Sequence, residues 1–67
     1  MKTYTCEYGI VDPVTLVGAI EYAFKGVIAI WQDIDEDTFE ITVYGVPAEQ
    51  MDELDDALAP YLYTPQV

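Results

Sequence analysis

The chain has 67 residues, 52% of them hydrophobic, and its 13 aspartates and glutamates against 2 lysines and no arginine give a formal net charge of −11. A chain of this length accommodates one domain spanning residues 1–67, and so apolar a composition excludes a disordered acidic tail, which places the charges on a folded body. The absence of histidine and the single cysteine, Cys6, exclude an imidazole acid or base, an intramolecular disulfide and a Cys/His zinc site.

Residues Thr3 to Ile10 alternate, with Tyr4, Cys6, Tyr8 and Ile10 on one side and Thr3, Thr5, Glu7 and Gly9 on the other, the period of a half-buried strand. Asp12-Pro13 then supplies a helix N-cap and a first-turn proline, and Gly26 a stop. Between them the pattern predicts a helix whose sheet-facing stripe is Val14, Val17, Ile20, Ala23 and Phe24. Val27 to Ile34 and Phe39 to Val46 are β-branched and aromatic runs joined by the polar Asp35-Glu36-Asp37-Thr38, which reads as a β-hairpin. Pairing Ile34 with Phe39 puts Ile28, Ile30, Ile34, Phe39, Ile41 and Val43 on the core side. The same register puts Trp31, Asp33, Glu40, Thr42 and Tyr44, with Ala29, on the other side, and sets Asp33 opposite Glu40. Pro47 opens a second helix and Pro60 closes it, with Met51, Leu54 and Leu58 as its apolar stripe.

The order β-α-β-β-α predicts an α+β fold, a three-stranded antiparallel sheet with both helices on one face. It resembles the first five elements of a ferredoxin-like fold, with Tyr63 to Val67 too short and too broken by Pro65 to add a last strand. Tyr4, Tyr8 and Tyr22 are expected in or beside the core, and Cys6 as a small buried hydrophobe.

Two acidic constellations stand out. The second helix carries Glu49, Asp52, Glu53 and Asp56 at i, i+3, i+4 and i+7, with Asp55 flanking them and no lysine or arginine following. The hairpin carries Asp33, Asp35, Glu36, Asp37 and Glu40, and both lysines, Lys2 and Lys25, lie outside these segments. Each cluster reads either as a solvated surface or as a docking face for a basic partner, and Trp31 and Tyr44 either as cross-strand packing or as aromatic anchors for arginine. Asp33-x-Asp35-x-Asp37 matches the start of a calcium loop, but Thr38 and Tyr44 occupy the glycine and glutamate places, so no metal is expected.

No nucleophile with a base, no phosphate-binding glycine loop and no cofactor motif is present, and paired carboxylates would need a cleft that so small a domain hardly encloses, so the chain does not read as an enzyme and no cofactor is expected. The longest apolar run, the six residues Gly26 to Trp31, falls far short of the ~20 a membrane span needs, and no secretory signal is visible. A reducing cytoplasm is the expected setting.

Carboxylates along a helix face, ~5–6 Å apart, approach the spacing of successive phosphates and can occupy a lysine- and arginine-lined DNA channel. In size, charge, lack of histidine and sheet-plus-helix layout the chain resembles the small acidic inhibitors made by bacteriophages, which include anti-CRISPR proteins and the uracil-DNA glycosylase inhibitor. The resemblance implies a competitive inhibitor of a DNA-binding machine, for example a CRISPR surveillance complex. The expected partner is a basic nucleic-acid-binding protein, with no direct binding to nucleic acid or membrane and a monomeric or small homo-oligomeric state. A small adaptor or immunity-type protein that neutralises one basic protein without mimicking DNA is the alternative.

Overall fold

A computed structural model describes residues 1–63. Its order is β1 (Lys2–Glu7), α1 (Pro13–Ala23), β2 (Ile28–Asp33), β3 (Thr38–Tyr44) and α2 (Met51–Leu58), with single 3-10 turns at Ala48–Gln50 and Ala59–Tyr61 on either side of α2. The sheet runs β1-β3-β2, with β3 antiparallel to both neighbours. The β1-α1-β2 crossover therefore skips one position, which β3 fills, and the α+β arrangement is the split unit that begins a ferredoxin-like fold.

Local chemistry accounts for the ends of α1. The Asp12 carboxylate accepts the Thr15 backbone N–H at 3.1 Å, and Pro13 occupies the first turn. After Phe24 the chain reverses through Gly26 at φ +86°, beside Gly45 at φ +82°, where an added Cβ would lie 3.3 Å from the Gly26 carbonyl oxygen. Two glycines thus let the α1–β2 and β3–α2 connections pass close together.

Tyr4, Cys6, Phe39, Ile41 and Val43 from the sheet meet Leu16, Ile20 and Phe24 from α1 and Leu54 and Leu58 from α2 in one core. Both helices therefore cover the same face, leaving the other to water. On α1 the buried stripe is Pro13, Leu16 and Ile20, continued by Phe24, whereas Val14 and Ala23 are exposed and Val17 is half-buried. The helix is apolar on nearly every side, so periodicity alone does not select the stripe. Tyr22 is exposed rather than packed at the core edge.

The hairpin register departs from expectation by one residue on β2. Asp33 pairs with Phe39, Gln32 with Glu40, Trp31 with Ile41, Ile30 with Thr42, Ala29 with Val43 and Ile28 with Tyr44. Because side chains alternate, this slip moves the whole of β2 to the opposite face. Ala29 is buried under α1, while Ile28, Ile30 and Ile34 are exposed. The cause is the turn: Ile34 and Asp35 both donate their backbone N–H to the Thr38 carbonyl, so the reversal includes Ile34. Ala29 also donates its N–H to Glu21 at 3.3 Å, which caps part of the free edge of β2.

At the other edge, Leu62 bridges to Cys6 antiparallel and the Tyr63 N–H donates to the Thr5 carbonyl at 2.8 Å. This contact lies where a ferredoxin-like fold seats its last strand. The expectation for Tyr63 to Val67 otherwise falls outside the described residues.

Candidate functional site

The acidic residues divide by what their side chains hold. Asp12 caps α1 and Glu21 caps the β2 edge. Asp35 Oδ1 accepts from the Asp37 N–H at 2.8 Å and from both the N–H and the hydroxyl of Thr38 at 2.9 Å, a three-donor turn that sets the hairpin. Those donors, the Asp37 N–H first and the Thr38 groups after it, favour the charged form and hold the Asp35 carboxyl below its ordinary range. The Asp33-Asp35-Asp37 run is thus a hydrogen-bonded turn, and among the described residues no group of three or more potential ligands converges to hold a metal.

Asp33 is not opposite Glu40 and not on the uncovered face. It lies on the helix-side face of β2 and accepts the Tyr8 hydroxyl hydrogen bond. That bond, then burial and the charges of Asp33 and Asp35, pushes the Tyr8 phenol up to about 12. Trp31 is likewise on the helix-side face, edge-on to Phe39 with ring centroids 6.4 Å apart, and Tyr8 packs on the same Phe39 at 4.9 Å. Trp31 and Tyr44, expected as neighbours on one face, stand on opposite faces.

Asp55 does not merely flank an acidic face. It accepts the hydroxyl of buried Tyr4 and lies 3.7 Å from Lys2 Nζ, so β1 supplies the cation that α2 lacks. Burial, then the bond to Asp55 and its charge, raises the Tyr4 phenol well above the ordinary tyrosine value. Sequence reasoning missed this pairing because its partners are 51 residues apart. The signal was nonetheless present: Lys2 and Tyr4 sit two apart on one side of a strand, a spacing that aims both at the same neighbour.

Five of the thirteen carboxylates, Asp12, Glu21, Asp33, Asp35 and Asp55, are therefore committed to the fold. The side chains of the other eight, Glu7, Glu36, Asp37, Glu40, Glu49, Asp52, Glu53 and Asp56, make no hydrogen bond or ion pair among the described residues, and all but half-buried Glu7 and Glu40 are exposed. Leu54 and Leu58 turn inward, so Asp52, Glu53 and Asp56 line the outside of α2, and exposed Glu49 precedes them in the 3-10 turn at Ala48–Gln50, where the sequence predicts one continuous helix. Glu36 and Asp37 stand at the hairpin tip, and Glu40 lies on the uncovered sheet face between Thr5 and Gln32. The two clusters remain on separate elements.

Compared with known proteins, the chain matches no family model, no curated protein and no solved structure.

A shallow apolar groove of about 210 Å³ runs between the helices, walled by Leu16, Ile20, Phe24, Leu58 and Tyr61, with Ala19, Ala23 and Ala57 at its rim. It carries no charged lining residue, so it does not supply the paired carboxylates that glycoside chemistry requires. Cys6 is fully buried, and burial pushes its thiol up to about 11, the reverse of an activated nucleophile. No helix among the described residues is long and apolar enough to cross a membrane.

Proposed function

We propose that this protein binds, without catalysing a reaction, to the basic DNA-binding surface of another protein and competes there with nucleic acid. The observation that carries the reading is the outer face of α2 together with the 3-10 turn that leads into it. Glu49, Asp52, Glu53 and Asp56 are exposed, have no internal partner among the described residues and carry like charge at helical spacing, while the neighbouring Asp55 has Lys2 and the Tyr4 hydroxyl as partners. Like charges at these spacings each cost a helix a few tenths of a kcal/mol, which the fold tolerates without any compensating contact. A row of anions held at helical spacing on a folded body presents to lysines and arginines what a phosphate strand presents. Glu36 and Asp37 at the hairpin tip and Glu40 on the uncovered sheet face form a second, separate negative surface. The likeness to phage-encoded acidic inhibitors points to a CRISPR surveillance complex as the kind of target, reached in a bacterial cytoplasm.

The test is to retain proteins from a bacterial lysate on the immobilised chain at low and high salt, identify the retained protein, and measure whether the chain displaces labelled DNA from it. Displacement that weakens steeply as salt rises supports mimicry. A retained basic protein that binds the chain and DNA together supports neutralisation without mimicry. Retention of no basic protein refutes both.

A further inference from the structure

The uncovered face of the sheet is not uniformly polar. Ile28 is 60% exposed, Ile30 52% and Tyr44 40%. Ile28 pairs directly with Tyr44, and Ile30 pairs with Thr42, so the three apolar side chains are cross-strand neighbours at the end of the sheet away from the hairpin. Strand propensity does not account for them. Thr3, Thr5 and Thr42 occupy the same face of β1 and β3, and threonine is as β-branched as isoleucine without exposing its apolar area to water. The core does not account for them either, since it lies on the other side. Toward the hairpin the same face turns anionic through Glu40, Glu7 and the tip residues Glu36 and Asp37. No lysine relieves it: Lys2 turns to the helix side to meet Asp55, and Lys25 belongs to the α1–β2 turn.

We infer that this face is a docking surface in its own right, with Ile28, Ile30 and Tyr44 as its apolar anchor, and that its occupant is a protein surface pairing apolar side chains with arginine or lysine. The inference rests on the basic-partner reading above and adds the anchor, on the side of the molecule opposite the α2 carboxylates. Charge selects this occupant. A nucleic acid or an anionic lipid surface has the wrong sign, and a second copy would bring together two chains of charge −11 and two sets of Glu7 and Glu40. One cation meets Glu40 and a second, a guanidinium about 13 Å further along β3, stacks on Tyr44, while the apolar side chains between them cover the two isoleucines.

The experiment titrates the full 15N-labelled chain with three synthetic peptides that alternate arginine with valine, arginine with serine, and glutamate with valine. The arginine–valine peptide is expected to move the amide signals of Ile28, Ile30, Thr42, Tyr44 and Glu40, and to bind more tightly than the other two. The double variant Ile28→Thr, Ile30→Thr keeps a β-branched strand, is expected to retain the parent amide pattern elsewhere, and loses roughly tenfold in affinity. Shifts confined to α2 and the hairpin tip, undiminished binding by the threonine variant, or equal binding of the glutamate–valine peptide each overturn the inference. So does a concentration-dependent shift of the same signals without peptide, accompanied by dimeric sedimentation. The two readings fail separately: shifts only on α2 together with DNA displacement leave the functional reading standing, whereas peptide binding at Ile28 and Ile30 without DNA displacement leaves only the docking surface.

Discussion

Replacing Asp55 by alanine is expected to destabilise the domain, whereas the same change at Asp56, the next residue along, is expected to stabilise it. Both carboxylates lie in the last turn of α2, where the helix dipole disfavours an anion by ~0.3–1 kcal/mol and neighbouring carboxylates add ~0.2–0.5 kcal/mol. Removing Asp56 relieves these terms and breaks nothing. Removing Asp55 relieves them too, but strands the hydroxyl of Tyr4, which is only 7% exposed, at about 1–3 kcal/mol. The Lys2 contact adds little, because both side chains are 44% exposed and water screens the pair. The net is a loss of about 0.5–1.5 kcal/mol for Asp55→Ala and a gain of about 0.5–1.5 kcal/mol for Asp56→Ala. In a domain this small each kcal/mol moves Tm by about 4–8 °C, so a thermal melt by circular dichroism resolves the two signs. The Tyr4→Phe background isolates the hydroxyl: there the Asp55 substitution should become neutral or stabilising. Equal shifts of the same sign at Asp55 and Asp56 would refute the reasoning.

Alkaline pH should unfold the protein earlier than its acidic charge alone suggests. Cys6 and Tyr8 hold their protons more tightly when folded, at about 11 against 9.0 and about 12 against 10.0, so their contributions are intact below the ordinary values and are lost as pH climbs through those windows. Denaturant titrations from pH 8 upward check this, and a flat midpoint across the two windows contradicts it. Asp35 has the opposite sign: its depressed carboxyl contributes stability above its ordinary 3.8, lost as pH falls through the lowered value, so the acid midpoint should move to higher pH in Asp35→Asn. The one-residue register predicts unequal isoleucines, with Ile41→Ala costing about 2–5 kcal/mol and Ile30→Thr within about 0.5 kcal/mol of the parent by urea unfolding. Comparable losses at both would restore the core-facing register for β2.

The element order, the Asp12-Pro13 helix start and the buried faces of β1, β3 and α2 were legible in the sequence because each rests on a local signal: an N-cap, an alternation, an i, i+4 spacing. The alternation ran too far on β1, which ends at Glu7 and leaves Ile10 exposed in the following turn. The register of β2 was not. Three isoleucines at Ile28, Ile30 and Ile34 argue for a buried face by hydrophobicity, and the turn argues otherwise, with Ile34 and Asp35 donating to the Thr38 carbonyl and the Asp35 carboxylate accepting three bonds. Ala29, small enough to let α1 lie close, takes the inward place instead. The same limit applies to the site. Composition made every carboxylate equivalent, yet Asp33, Asp35 and Asp55 are spent on Tyr8, the turn, and Tyr4 with Lys2, contacts that join residues distant in the chain or depend on the turn itself. What survives is the outer face of α2, the hairpin tip and Glu40, together with an apolar patch that the expected register had turned inward.

The most direct measurement is DNA displacement from the captured basic protein by a variant in which Glu49, Asp52, Glu53 and Asp56 are all changed to lysine. These side chains point away from Leu54 and Leu58, so the circular dichroism spectrum should match the parent's. Hairpin reversal is a poorer probe, because Asp35 holds the turn. The account predicts that displacement is lost, since desolvated charge pairs at an interface each cost about 2–5 kcal/mol when one partner is removed. A folded variant that still displaces DNA as well as the parent would contradict it.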